Sequence, residues 1–235
     1  MPLDRPPPHG IVVSPHLMLL NAGTQLWRVH LAHHSPTEFN CAFSDDVFGG
    51  GRFDGTNADP YPWLYLATDC ETAVLETLAR NMPYNQQGIR LVLRKSIAKQ
   101  CISALRLTRA VTLISLMDAE DLAVVRQDEW LVQADAVEYP QTRRWGSWLR
   151  EQCPAAQGIA WPSRRNIGLH KAIVLFGDRC DRNLLVPVSG SEIELDSTAG
   201  ALWFNRTLSP LCVRVRPPSH HNRHQDDEDP DDAAR

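Results

Sequence analysis

The chain has no apolar run near the about 20 residues that a membrane-crossing helix needs, so a membrane protein is not expected. Its start, Met1-Pro2-Leu3-Asp4-Arg5-Pro6-Pro7-Pro8, lacks the apolar stretch of a secretory signal, and the expected location is the cytoplasm. No Cys-x-x-Cys pair occurs. Cys41, Cys70, Cys101, Cys153, Cys180 and Cys212 are widely spread, which fits small buried hydrophobes better than a disulfide frame. No Cys/His set has metal spacing, so no metal is expected. No Gly-Lys-Ser/Thr closes a glycine loop, Gly-x-Gly-x-x-Gly is not met, and no Gly-x-Ser-x-Gly elbow is present. A basic excess is also missing. The formal net charge is -4, and six acids lie in the tail from Pro217 to Arg235 with two arginines. Without the tail, 22 acids face 22 bases. A neutral body with no basic stripe argues against a protein that grips a nucleic-acid backbone.

What is present describes a soluble globular chain of 235 residues, 43% hydrophobic and 22% charged, long enough to bury a sizeable core. Four prolines in the first ten residues mark 1–20 as a flexible N-terminal segment, and the acidic tail 217–235 is expected to be disordered. No linker interrupts 21–216, which reads as a single domain. Gln25 to Leu31 alternates polar and apolar residues like a half-buried strand. Leu64 to Ala67 reads as a short strand, and Thr68-Asp69-Cys70-Glu71 as a capping box opening a helix to about Met82. Arg90–Arg94, Cys101–Leu107, Val111–Leu116, Ala172–Phe176, Leu184–Val188 and Leu211–Val215 read as strands, and Asp118–Arg126 and Gln141–Gln152 as helices. Many short strands with two or three helices indicate an α+β fold.

Four positions carry chemistry. Arg52 follows Gly49-Gly50-Gly51, where glycines let the backbone approach a ligand and an arginine forks onto phosphate oxygens; a surface hairpin explains the same residues. Glu76 falls just beyond the edge of the apolar face formed by Val74, Leu75, Leu78, Ala79 and Met82, either aimed along a groove or simply solvated. Tyr65 offers a ring to stack on a base and a hydroxyl to bond a ribose or phosphate, or it covers the core. Ser163 follows Pro162 and is either a ligand contact or a loop serine. Guanidinium, ring, carboxylate and hydroxyl together are the groups needed to hold and cleave a dinucleotide such as NAD.

The order and spacing of Leu26-Trp27-Arg28-Val29, Gly51-Arg52-Phe53-Asp54, Leu64-Tyr65-Leu66-Ala67, Ala73-Val74-Leu75-Glu76 and Trp161-Pro162-Ser163-Arg164 resemble the RES domain family, from about Leu26 to Val188. The resemblance implies a fold similar to ADP-ribosyltransferase toxins, with a mixed or antiparallel β core and flanking helices. It implies a bacterial toxin of a type II toxin–antitoxin pair with an Xre-like antitoxin, depleting NAD by hydrolysis or phosphorolysis. On that pattern Glu76 stabilises the cationic ribose, and Arg52, with Arg28, neutralises the pyrophosphate. Tyr65 positions the nicotinamide, and Ser163 bonds the ribose or nicotinamide. Transfer of ADP-ribose to a protein and a non-catalytic NAD-binding module remain the alternatives. The chain departs from compact members by extra residues at both ends and by added length at Asn57–Pro62, which makes Tyr61 a rival to Tyr65.

Overall fold

Alternation in Gln-Leu-Trp-Arg-Val-His-Leu does make a strand, and the other short apolar runs pair with it or with one another. The structure, a computed structural model, describes residues 5–44, 49–80, 82–164, 166 and 170–216. The acidic tail lies outside the described residues. In chain order the elements are β1 (Leu17–Leu20), β2 (Gln25–Leu31), β3 (Trp63–Ala67), α1 (Cys70–Leu78), β4 (Arg90–Val92), α2 (Arg94–Ile97), β5 (Gln100–Leu107) and β6 (Val111–Ser115). There follow α3 (Ala119–Val124), α4 (Trp130–Gln133), α5 (Tyr139–Gln152), β7 (Gly158–Pro162), β8 (Lys171–Phe176), β9 (Leu185–Pro187), β10 (Ile193–Glu194), α6 (Thr198–Leu208) and β11 (Val213–Val215).

One mixed sheet runs β1-β6-β7-β8-β3-β2-β5-β10, with β9 also on β5. Its one parallel contact among the described residues is β6 with β7. β4 and β11 form a small parallel ladder. Successive side chains of a strand point to opposite faces. Leu64 and Leu66 therefore enter one core with Leu26, Leu105 and Ile173. Trp63 and Tyr65 turn to the other side, against Phe53, Trp145, Trp148 and Trp161. A third core gathers Val74, Leu75, Phe204, Leu208 and Val213 beneath α1 and α6. The expected α+β architecture, a mixed sheet with flanking helices in one domain, is what the chain adopts.

The sheet is not evenly zipped. β2 shares seven register pairs with β5, and β3 shares five with β8. Between β2 and β3 there is a single pair, Trp27 with Ala67, so the two strands part beyond it.

Several local expectations differ from the fold. Within the segment 1–20, Leu17–Leu20 form β1 and pair with β6, because their alternate side chains Met18 and Leu20 pack on the Leu26 core. The cap of α1 is Asp69 rather than Thr68, since the Asp69 carboxylate accepts the Thr72 N–H at 2.8 Å. That helix ends at Leu78, short of Met82: the chain leaves helical geometry at Ala79 (φ -118°, ψ 10°). Pro83 would in any case disfavour a helical Met82. β4 stops at Val92, and Arg94 opens α2 instead. All six cysteines are free, and only Cys101 is buried. No helix among the described residues is long and apolar enough to cross a membrane.

Candidate functional site

Where β2 and β3 part, a cleft of about 520 Å³ opens. Trp27 and Val29 line it from β2, Trp63 and Tyr65 from β3, and Glu76, Thr77 and Arg80 from α1 and the residues just beyond it. Trp161 and Gly50, Gly51, Arg52 and Asp54 also line the wall. The lining thus combines aromatic faces with a few charged groups, the usual make-up of a small-molecule site.

Glu76 and Ser163, 87 residues apart, meet at its edge: the Ser163 hydroxyl donates to Glu76 Oε1 at 2.8 Å. Ser163 is 2% exposed and is held by its own backbone N–H on the His170 carbonyl (3.0 Å) and by the Asn166 N–H on its Oγ (3.1 Å). Asp69 ties this loop to the start of α1, accepting from the Asn166 side chain at 3.3 Å and pairing with His170 Nδ1 at 2.8 Å. The helix that carries Glu76 is therefore fastened at its N-cap to the loop that carries Ser163. Glu76 Oε2 accepts no hydrogen bond among the described residues; its nearest cation is Arg80 Nε at 3.9 Å.

The glycine run serves a knot at Asp54. Asp54 Oδ2 accepts the Gly51 N–H (2.6 Å) and the Ser44 hydroxyl (2.7 Å), and Oδ1 accepts the Tyr65 hydroxyl (2.8 Å). The Tyr65 oxygen in turn accepts the Phe53 N–H at 2.8 Å. Gly50 has φ +72°, and a Cβ there would sit 2.1 Å from Ser44 Oγ, so only glycine fits. Burial pushes the Tyr65 phenol well above its usual pKa, with the Asp54 charge adding to it, so the hydroxyl remains a donor.

The two expected phosphate contacts are placed as follows. Arg52 is 2% exposed; its Nη1 donates to the Leu131 carbonyl (2.9 Å) and Nη2 to the Ala134 carbonyl (3.1 Å), and burial lowers its pKa to about 10. It therefore anchors the end of α4 from its place on the cleft wall. Arg28 spends Nη1 on the carbonyls of Pro36 (2.8 Å) and Glu38 (2.7 Å), bracing the connection that follows β2, and its pKa is lowered to about 10, again mainly by burial. Of the rival tyrosines, Tyr65 lines the cleft, whereas Tyr61 is fully buried, donates to the Phe53 carbonyl (3.0 Å) and carries the Arg150 guanidinium 3.8 Å from its ring centre.

Asp54 and Arg80 are charged cleft residues that sequence reasoning missed. Asp54 stood in the quoted Gly-Arg-Phe-Asp, but nothing in the spacing marks it as a hub. Arg80 is a single arginine after a helix, with no motif around it. No three His, Cys, Asp or Glu side chains among the described residues gather so as to hold a metal.

The RES domain family model matches residues 25–198. In fold the chain is similar to the crystal structure of the M. tuberculosis MbcT–MbcA toxin–antitoxin complex, with a TM-score of 0.51 and 15% identity, covering 75% of this chain and 86% of that one. No curated protein matches the sequence.

Proposed function

The chain belongs to the RES domain family, and on that premise we propose that it consumes NAD by cleaving the nicotinamide–ribose bond, as the toxin of a toxin–antitoxin pair. One observation supports this above the others: Glu76, oriented through Oε1 by Ser163 at 2.8 Å, borders an aromatic-lined cleft with its second oxygen uncommitted. As the C1′–N bond breaks, its electron pair leaves with nicotinamide and positive charge develops on the ribose. A fixed carboxylate stabilises that charge at no reorganisation cost. Water then forms the new bond to C1′ and loses a proton to the carboxylate or to solvent; with phosphate as acceptor, a phosphate oxygen forms that bond instead. Trp63, Tyr65 and Trp161 offer faces for the nicotinamide. The similar solved fold is that of a toxin held with its antitoxin, and an antitoxin of the Xre-like kind is the partner proposed for this chain.

The test is release of free nicotinamide from NAD, with and without phosphate. Glu76→Gln is expected to lose about 100-fold or more while melting like the wild type. Full turnover in a folded Glu76→Gln protein would sink the assignment. Labelled NAD in a lysate separates the acceptors: free ADP-ribose means hydrolysis, and label on a macromolecule means transfer.

A further inference from the structure

We propose that Arg80 is the group that takes the phosphates of the nucleotide in this cleft. The inference rests on the reading of the cleft as an NAD site and goes beyond it, because it moves phosphate recognition to a residue outside the motif positions. Among the described residues three guanidiniums border the cleft: Arg28, Arg52 and Arg80. Arg28 Nη1 lies on loop carbonyls. Arg52 has both terminal nitrogens on carbonyls, and its Nε, although without a partner, is wholly enclosed. A phosphate reaching Arg52 would have to break those bonds and strand two carbonyls, each at a cost comparable to what the new contact supplies.

Arg80 is in the opposite condition. Its side chain is 24% exposed and makes no hydrogen bond among the described residues. Its nearest anion, Glu76 Oε2, is 3.9 Å from Nε, too far for a hydrogen bond. What holds it is a stack: its guanidinium carbon lies 4.7 Å from the centre of the Tyr139 ring, the same ring that has Arg52 at 5.3 Å. Stacking fixes the plane of a guanidinium while leaving its edge donors available for a planar fork onto phosphate. Two cations beside one ring, with Glu76 and Asp135 as the acids that act on it, favour an anion at this spot.

The position suits the chemistry. In a nucleotide the 5′-phosphate hangs from the ribose whose C1′ carries the base. Groups for the two ends must therefore be neighbours, and Glu76 and Arg80 stand four residues apart on one side of the cleft. The carboxylate would serve the C1′ end and the guanidinium the phosphate end.

Arg80→Met keeps an aliphatic stem against Tyr139 and removes the donors; Arg80→Lys keeps the charge. Two readouts are needed. The first is ADP-ribose and pyrophosphate binding, followed by tryptophan fluorescence, since Trp27, Trp63 and Trp161 line the cleft. The second is the preference for NAD over nicotinamide riboside, which has the same scissile bond and no phosphate. Arg80→Met is expected to weaken ADP-ribose binding about tenfold or more and to reduce the NAD preference by a similar factor, chiefly through KM, with Arg80→Lys recovering part of both. Unchanged binding and unchanged preference in Arg80→Met overturn the proposal while leaving NAD cleavage standing. Binding that depends on Arg80 in a wild type that releases no nicotinamide supports the phosphate site and overturns NAD cleavage. A wild type that binds neither ADP-ribose nor pyrophosphate overturns the phosphate site.

Discussion

Asp54 accepts three hydrogen bonds on two oxygens while 1% exposed, from Gly51, Ser44 and Tyr65. All three partners present hydrogens, so the residue must be an acceptor on both oxygens. Asp54→Asn puts an amide N–H₂ against one of these donors and leaves it unpaired in the interior. The expected cost is about 2 kcal/mol, seen as a melting temperature lower by roughly 4–8 °C. An unchanged melting curve would remove Asp54 from the centre of the knot. At its neighbour Arg52, residue type suggests a phosphate grip after the glycines, and the structure shows the same glycines letting the chain close on Asp54 and Tyr65, with the guanidinium donating to two carbonyls.

At the level of elements, α1 and the loop of Ser163 act as one unit through Asp69. Burial acts to raise the Asp69 pKa, but hydrogen bonds from Thr72 and the contact with His170 outweigh it, so the folded value lies below the ordinary 3.8. A carboxylate depressed on folding contributes stability that is present above its unfolded pKa and is lost as pH falls through the folded one. Asp69→Ala is therefore expected to cost about 1 kcal/mol or more in denaturant unfolding at pH 7, with the gap to wild type closing below about pH 4. A gap that persists undiminished in acid would mean that the cap charge plays no part. The elements also show what a sequence discloses. β2 was readable to the residue from its alternation of polar and apolar side chains, although the fold buries His30 with Leu26 on one face and leaves Trp27 and Val29 half-buried on the other. β7 was not, since Gly-Ile-Ala-Trp-Pro is buried almost throughout and has no period. α6 was hidden by Thr, Gly and Asn in its span, and its cap at Ser197 is a single serine. The motif order pointed to Glu76 and Ser163 as cleft residues, but their mutual hydrogen bond spans 87 positions and belongs to the tertiary fold alone.

Over the whole molecule, the family match at 25–198 leaves an N-terminal arm that packs along α5. Trp145 Nε1 donates to the Arg5 carbonyl (2.7 Å), the Arg5 N–H to Gln141 (3.1 Å) and the Val13 N–H to Gln152 (2.9 Å), while His16 pairs with Asp121 at 2.9 Å. Deleting residues 1–16 removes the carbonyl that the Trp145 indole N–H bonds and bares to water that side chain, now 1% exposed, with the apolar surface beside it. The loss is expected to reach about 3 kcal/mol, or roughly 6–12 °C in melting temperature, with a red-shifted tryptophan emission. A truncated chain that melts like the full one would make the arm ornamental. The sheet itself is two leaves joined along their length to other strands, with Trp27 and Ala67 as their one register pair among the described residues and α1 packed against both. Such a structure resembles an open book whose pages meet in the sheet at one residue pair, and a molecule lying between them would add contacts to both. A ligand that binds the cleft in the folded chain and not in the unfolded one would raise the stability of the fold as its concentration rises.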